Sequence, residues 1–285
     1  MKGFCWSVRR ELWENKSIYV APFAVAGIVL VGFFTGLVTL ADRLRIAQTL
    51  GADQLRAVVE QPYVVSALII MATEIAVAIF YSLDALYGER RDRSVLFWKS
   101  LPVSDFTTVV AKASIPMLLL PLVAYVATVA TQGLMLLVSS VVLPAHGVSA
   151  SILLQDLSFV DIVRINFSHL VIFHGLWCAP VFAWLLFVSA WATRVPFLWA
   201  VLPPAAIAVI ERLTFNSSYF TTLLRTYFFG SGVGSGMPAS HVLTMDMMAT
   251  PLSETLLHPA FWAGLAISAL LLFGAVRLRR SQGVI

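Results

Sequence analysis

Six apolar stretches dominate the 285-residue chain, and each is long enough to cross a lipid bilayer. A helix rises about 1.5 Å per residue, so about 20 apolar residues cover the roughly 30 Å hydrocarbon core. Only 12% of the residues are charged, against about a quarter in a soluble domain. We therefore predict an all-α integral membrane protein with a single transmembrane domain over residues 1–285. The six spans are predicted at about 18–40, 62–86, 114–142, 168–192, 196–213 and 258–276.

The basic residues are distributed unevenly between the two ends of this predicted bundle. Thirteen of the nineteen Lys and Arg residues lie before the first span, at 87–112, after the fourth span or in the C-terminal tail. Because basic segments stay on the cytoplasmic side, this pattern predicts that both termini and the 87–112 loop are cytoplasmic. Topology accounts for the positive charge, so we expect no nucleic-acid binding. The outer connections are predicted at about 41–61, 143–167 and 214–257.

Residues 3–16 are predicted to form an amphipathic helix that lies on the inner leaflet. At about 100° per residue, Arg10 and Glu14 project from the side opposite the apolar face. Trp6 and Trp13 fall between the two faces, where their rings suit the headgroup region. The alternative is an ordinary charged lead-in to the first span. The apolar face consists of Phe4, Cys5, Val8 and Leu12.

The loop at 87–112 combines closely spaced charges with an aromatic pair. Charges of both signs, three to four residues apart, predict a helix that begins after Gly88, with Pro102 ending it and Ser104 capping the next segment. Phe97 and Trp98 have no soluble core to enter, so they must dip into the leaflet or fill a pocket on another protein. A loop that merely lies on lipid would explain the arginines, but it explains the embedded acids less well.

The stretch 83–112 reads LDALYGERRDRSVLFWKSLPVSDFTTVVAK and resembles the signature of permease subunits of bacterial type 2 ATP-binding-cassette (ABC) exporters. The resemblance implies a coupling helix docked on a separate cytosolic ATPase, with Phe97 and Trp98 as buried anchors and the loop arginines as a polar rim. It also implies a location in the bacterial inner membrane and a second permease copy, most simply in a homodimer surrounded by lipid. The residues implied in coupling are Glu89, Arg90, Arg91, Asp92, Arg93, Ser94, Phe97, Trp98, Lys99, Ser100 and Pro102.

The chain does not carry a P-loop of its own. A P-loop needs a Gly-Lys pair followed by Ser or Thr, and none of the four lysines follows a glycine. We therefore expect no catalytic residue and no cofactor in this chain, with ATP and Mg²⁺ bound by the partner ATPase. The predicted function is export from the cytoplasm or inner leaflet. The alternative is a membrane scaffold or sensor that docks a cytosolic partner without transport.

Glu74 lies at the middle of the second predicted span, where a carboxylate costs a few kcal/mol. It is expected either to contact a cationic or hydrogen-bonding cargo or to be a neutral carboxyl bonded to a neighbouring helix. The family resemblance implies that two copies of Glu74 face each other across the transport path. Pro203 and Pro204 are predicted to kink the fifth span, and we assign them with Glu74 to the substrate path.

Possible metal ligands occur in two places. In the fourth span, His174 and Cys178 share a helical face but His169 lies about 140° away, so we expect buried, hydrogen-bonded side chains and no metal site. In the last outer connection, soft donors either suit Cu(I) or fill an apolar surface. These donors are His241, Met245, Met247 and Met248.

Overall fold

The computed structural model describes residues 2–94, 103–149, 158–229 and 256–281. Within these ranges nearly every residue is helical and there is no strand. Six helices are long and apolar enough to cross a membrane, which confirms the predicted all-α fold and the number and order of the spans. The outer His and Met residues at 241–248 lie outside the described ranges.

The spans are built from one or several consecutive helical segments. The first, fifth and sixth are single helices, the second is followed by a short helix, and the third and fourth each contain a π-helical segment. The fourth long apolar helix begins at Phe159, earlier than predicted, and ends at Trp177; the shorter apolar helix Ala179–Trp191 completes the predicted fourth span at 168–192. In chain order the segments are α1 (Lys2–Glu14), α2 (Ser17–Leu50), α3 (Ala52–Asp84), α4 (Tyr87–Arg91), α5 (Asp105–Ser114), π1 (Ile115–Leu119), α6 (Leu120–Ala145), α7 (Phe159–Asn166), π2 (Phe167–Trp177), α8 (Ala179–Trp191), α9 (Pro196–Phe215), α10 (Tyr219–Phe229) and α11 (Pro259–Ser281).

Helices α2 and α3 are longer than predicted and form a projecting hairpin. At 34 residues, α2 is about 51 Å long, well beyond the roughly 30 Å hydrocarbon core. Only Gly51 separates the two helices, and its φ of 128° is a conformation that glycine adopts readily. The predicted loop at 41–61 was therefore wrong. The polar residues of this stretch suggested a loop. The stretch is also rich in Ala, Leu, Arg and Gln, which are strong helix formers.

A chain of buried amides connects three spans in the half of the bundle near the hairpin. The Gln132 side chain of α6 donates to the Tyr63 carbonyl of α3 at 2.9 Å and accepts from Asn166 of α7 at 2.6 Å. Polar side chains inside a membrane protein hydrogen-bond between helices because lipid offers them no partner. These bonds hold the second, third and fourth spans together.

The two π-helical segments pack directly against each other. A Cβ atom added at Gly175 of π2 would lie 2.5 Å from the Met117 carbonyl oxygen of π1, so only glycine permits this approach. The wide π turn continues to the end of π2, where the Cys178 amide donates to the Phe173 carbonyl at 3.1 Å. The close approach fixes the position of the fourth span against the third.

Four segments meet at the end of the bundle opposite the hairpin, which we call the basic end. It contains α1, α4, α5 and the last turns of α11, together with the turn at 192–195. These contacts show that the basic segments used to predict topology lie at one end. Helix α9 lies at the periphery, where Trp184 of α8 donates to the Ala200 carbonyl at 3.1 Å.

Candidate functional site

Charged side chains from four helices form a buried cluster at the basic end. Each of these helices contributes at least one member, and the residues are distant in sequence. We define the ion-pair cluster as Arg10 and Glu11 of α1, Glu89 of α4, Asp105 and Lys112 of α5, and Arg279 of α11.

Glu89 is the centre of the cluster and is 8% exposed. One carboxylate oxygen accepts from Arg279 Nη1 at 2.5 Å. The other lies 2.9 Å from Arg10 Nη2 and 3.2 Å from Lys112 Nζ. Glu89, which closely follows the second span, is thereby connected to the N-terminal helix, the third span and the sixth span.

Glu11 forms a second centre, deeper in the bundle and 2% exposed. Its Oε1 lies 2.9 Å from Lys112 Nζ and 2.8 Å from Arg10 Nη2, and its Oε2 accepts from the Tyr81 hydroxyl at 2.8 Å. Tyr81 belongs to α3, so the second span is also connected. Arg279 Nε, on the other side, lies 3.0 Å from Asp105 Oδ1.

The cluster balances three cations with three carboxylates. Burial alone would lower the pKa of Arg10, but the carboxylates of Glu11, Glu14 and Glu89 raise it above its ordinary value. The guanidinium therefore stays charged. Removing one partner from such a buried group leaves an uncompensated charge, which costs about 3–5 kcal/mol. The four helices are therefore held in one mutual arrangement at this end.

Arg90 and Ser189 attach α4 to the fourth span. Arg90 Nη2 donates to the Ser189 carbonyl at 2.9 Å and to the Ala192 carbonyl at 2.6 Å. The Ser189 hydroxyl accepts from the backbone amides of Leu86 and Tyr87, both at 3.0 Å. These amides begin α4 and have no partner within the helix, so Ser189 caps it from another span. Arg90 is thus buried, whereas we expected it on the polar rim.

The first part of the predicted coupling helix is shorter than expected. Helix α4 ends at Arg91, and Arg93 has a left-handed φ of 58° that interrupts the helical path. Arg91, Asp92 and Arg93 are exposed, as a polar rim requires, and Ser94 is half-buried. The remaining implied coupling residues, at 95–102, lie outside the described ranges; they include Phe97, Trp98, Lys99, Ser100 and Pro102.

The end of the loop agrees with the prediction from sequence. Ser104 caps α5, because its hydroxyl accepts from the Thr107 amide at 3.1 Å. Asp105 follows immediately and contacts Arg279 in the ion-pair cluster. The two ends of the loop, at Glu89 and Asp105, are therefore connected through one side chain.

Helix α1 packs against the bundle through Val8 and Leu12 of the predicted apolar face, together with the charged side chains of Arg10 and Glu11. Arg10 was expected to point away, but it contacts Glu89 instead; Glu14 does point outward. Trp6 and Trp13 are 62% and 61% exposed. The Arg9 guanidinium lies over both rings, 5.6 and 4.7 Å from their centroids.

Glu74 lies inside the single chain, with 0% exposure, facing the fourth span. Its Oε2 atom is 3.5 Å from His174 Nδ1, on a neighbouring helix. Pro203 and Pro204 have different surroundings: both lie within the continuous helix α9, in which only Ala200 is buried. The role of these three residues in a substrate path stays a prediction.

The π-helical winding brings the histidines of the fourth span closer than we predicted. At α-helical spacing His169 and His174 point about 140° apart, but in π2 their ring centroids are 5.4 Å apart. Hydrogen bonds from residue i to i+5 place side chains five positions apart on the same side. No group of three His, Cys, Asp or Glu side chains suited to a metal occurs in the described part of the chain.

A cleft of about 270 Å³ lies beside the ion-pair cluster at the surface of the basic end. Carboxylates of the cluster and of nearby exposed residues line the cleft. Ser94, the last described residue before the gap at 95–102, also lines it. The charged lining residues are Glu11, Glu14, Asp84, Glu89, Asp92 and Lys112.

No protein family, curated protein or solved structure matches this chain.

Sequence reasoning missed Glu11 and did not recognise the structural roles of Lys112 and Arg279. Glu11 had a detectable signal: at 100° per residue it lies about 60° from Val8, on the face predicted to be apolar. Lys112 and Arg279 counted only as topology signals, because both are basic residues at the ends of spans. Their pairing depends on which spans are neighbours, and the hydrophobic pattern does not contain that information.

Proposed function

We propose that the chain is the membrane-spanning subunit of an ABC exporter. It would move cargo out of the cytoplasm or the inner leaflet, using ATP hydrolysed by a separate subunit docked on the 87–112 loop. The observation that carries this proposal is the ion-pair cluster. Both ends of the loop belong to it, and so do the N-terminal helix and the sixth span.

The cluster supports a mechanism in which displacement of the loop reaches several spans together. Glu89 cannot leave its position without separating from Arg10, Lys112 and Arg279. Because unpaired buried charges are costly, the paired helices are expected to move with the loop. Arg90 adds a connection to the fourth span. ATP-driven opening and closing of the docked subunit would then rock the spans and expose the path to the outside.

The positions of the charged and aromatic side chains support one placement in the membrane. In this proposal the basic end faces the cytoplasm of a bacterial inner membrane. Helix α1 then lies along the inner leaflet, with Trp6 and Trp13 at headgroup level. Two permease copies, most simply identical, would assemble with two ATPase subunits.

The proposal is tested by purifying the tagged full-length chain gently from its native membranes. We expect an ATP-hydrolysing subunit to co-purify in stoichiometric amount, and Trp98→Asp to abolish its binding. Trp6→Asp is the matched control, because it makes the same change at the basic end but outside the loop. A partner that binds but hydrolyses no ATP would favour the scaffold or sensor. Equal ATPase binding by Trp98→Asp and wild type would refute docking through this loop.

A further inference from the structure

We propose that Glu74 and His174 form a binding site for one proton inside the membrane, shared between α3 and π2. The proposal concerns the chain alone and does not depend on an ATPase partner. It rests on the burial of both side chains, their separation and the absence of a compensating Lys or Arg around them in the described part of the chain.

The carboxyl group of Glu74 is enclosed and lacks ordinary hydrogen bonds. Its exposed fraction is 0%, and that of His174 is 2%. Among the described residues, no hydrogen bond of standard geometry reaches either carboxyl oxygen. The polar atom that faces it is His174 Nδ1, 3.5 Å from Oε2, a distance that a small shift converts to a hydrogen bond.

The helices around the pair supply no lysine or arginine at this depth. Segments π1, α6 and α8 contain no Asp, Glu, Lys, Arg or His, and neither does α2 between Tyr19 and Asp42. On α7, Arg164 is exposed and pairs with Asp161, and the arginines of α11 lie in its last turns at the basic end. Among the described residues, the other titratable groups near the pair are His169, whose ring is 5.4 Å from that of His174, and Cys178, which lies within electrostatic reach of Glu74. His258 contacts Trp177 at the end of π2, with the ring centroids 5.8 Å apart. On α5, Lys112 is engaged by Glu11 and Glu89.

Charge balance then fixes the number of protons. An ionised carboxylate beside a neutral imidazole carries one buried negative charge, which is expensive in hydrocarbon. One added proton makes the pair neutral, whether it is bound to Glu74 Oε2 or to His174 Nδ1. Transfer between them breaks the carboxyl O–H bond and forms the imidazole N–H bond without changing the net charge. A second proton would create a buried cation, so the site holds one.

The backbone around His174 keeps the pair together. Gly175 lies so close to the Met117 carbonyl that no larger residue fits, and π2 therefore packs tightly against π1. The π winding sets the direction of the His174 side chain relative to α3. Segments of this kind are rare and concentrate at functional sites.

Infrared spectroscopy and nitrogen NMR of the full chain in lipid bilayers test the site at neutral pH. We expect either a protonated-carboxyl band that Glu74→Gln removes or a cationic histidine signal that His174→Gln removes. Glu60→Gln is the matched control: Glu60 is equally buried in α3 but lies 2.7 Å from Arg56 Nε, so it should leave both signals unchanged.

Two results would overturn the proposal: an ionised Glu74 beside a neutral His174, or a protonated Glu74 beside a cationic His174. If Glu74→Gln fails to fold, Glu74→Asp retains the carboxyl and should shift the infrared band instead of removing it. Unchanged spectra in folded Glu74→Asp and His174→Gln would equally refute the site. All of these outcomes are independent of whether an ATPase co-purifies.

Discussion

The ion-pair cluster and the Glu74–His174 pair handle buried charge in opposite ways. In the cluster, every carboxylate has a cation within 3.2 Å, and the six formal charges cancel. In the middle of the bundle, one acid faces one histidine at 3.5 Å, and no Lys or Arg of the described residues pairs with this acid. Near the end of the bundle, where water is close, neutrality is reached by pairing permanent charges. In the middle it is reached by a proton, so the same substitution should have different effects in the two regions.

The largest effect is expected for Glu89→Gln, which removes the central carboxylate of the cluster. It leaves Arg10, Lys112 and Arg279 with an excess of buried positive charge and should lower the free energy of unfolding by about 3–5 kcal/mol. Denaturation of the purified chain in detergent measures this. Asp92→Asn, at an exposed acid on the same end that pairs with the exposed Arg91, should cost less than about 1 kcal/mol. Equal losses in the two variants would mean that the cluster does not stabilise the basic end.

Gly175→Ala should have an intermediate effect. The added methyl would lie 2.5 Å from the Met117 carbonyl oxygen, so π2 must move away from π1 at a cost of about 1–3 kcal/mol. Gly27→Ala is the control in the same kind of measurement, because its added Cβ meets no atom within 4 Å. If both variants have the same free energy of unfolding as the wild type, the close π1–π2 approach does not exist in the membrane.

Glu74→Gln should change stability little, by about 1 kcal/mol or less, because the wild-type pair with its one proton and the variant's amide beside a neutral His174 are both uncharged overall. The free energy of unfolding of Glu74→Gln is measured under the same conditions as that of Glu89→Gln, which compares the two regions directly. A loss as large as that of Glu89→Gln would indicate that Glu74 is ionised and paired with a permanent cation, as the carboxylates of the cluster are.

The smallest effect is expected for Asp42→Asn in the projecting hairpin. Asp42 lies 3.4 Å from Arg45, and both side chains are more than half exposed. Such a pair contributes a few tenths of a kcal/mol and is screened by salt. The difference from wild type should vanish in high salt. A salt-independent loss larger than about 1 kcal/mol would show that this hairpin is enclosed by something other than water.

The spans and the capping by Ser104 were predictable because each depends on local pattern. The length of an apolar stretch predicts a membrane span, and a serine just before a helix predicts its N-terminal cap. The ion-pair cluster was not predictable, because Glu11, Lys112 and Arg279 meet only after four helices have packed. The helical hairpin at Gly51 was missed because polar composition does not distinguish a loop from a solvent-exposed helix. The approach of His169 to His174 was missed because the angles assumed an α-helix, and π winding has no comparable signal in sequence.

In the proposed function, the ion-pair cluster transmits loop movement to the spans. The most direct test is an electron–electron distance measurement between spin labels at Leu50→Cys and Leu213→Cys, both exposed and far from the cluster. The background replaces Cys5 and Cys178, and the co-purified ATPase is reconstituted with the chain.

We predict that ATP changes this distance in the wild type, and that Glu89→Gln retains the ATPase but loses the change. An ATP-dependent change of the same size in folded, ATPase-bound Glu89→Gln would contradict transmission through the cluster.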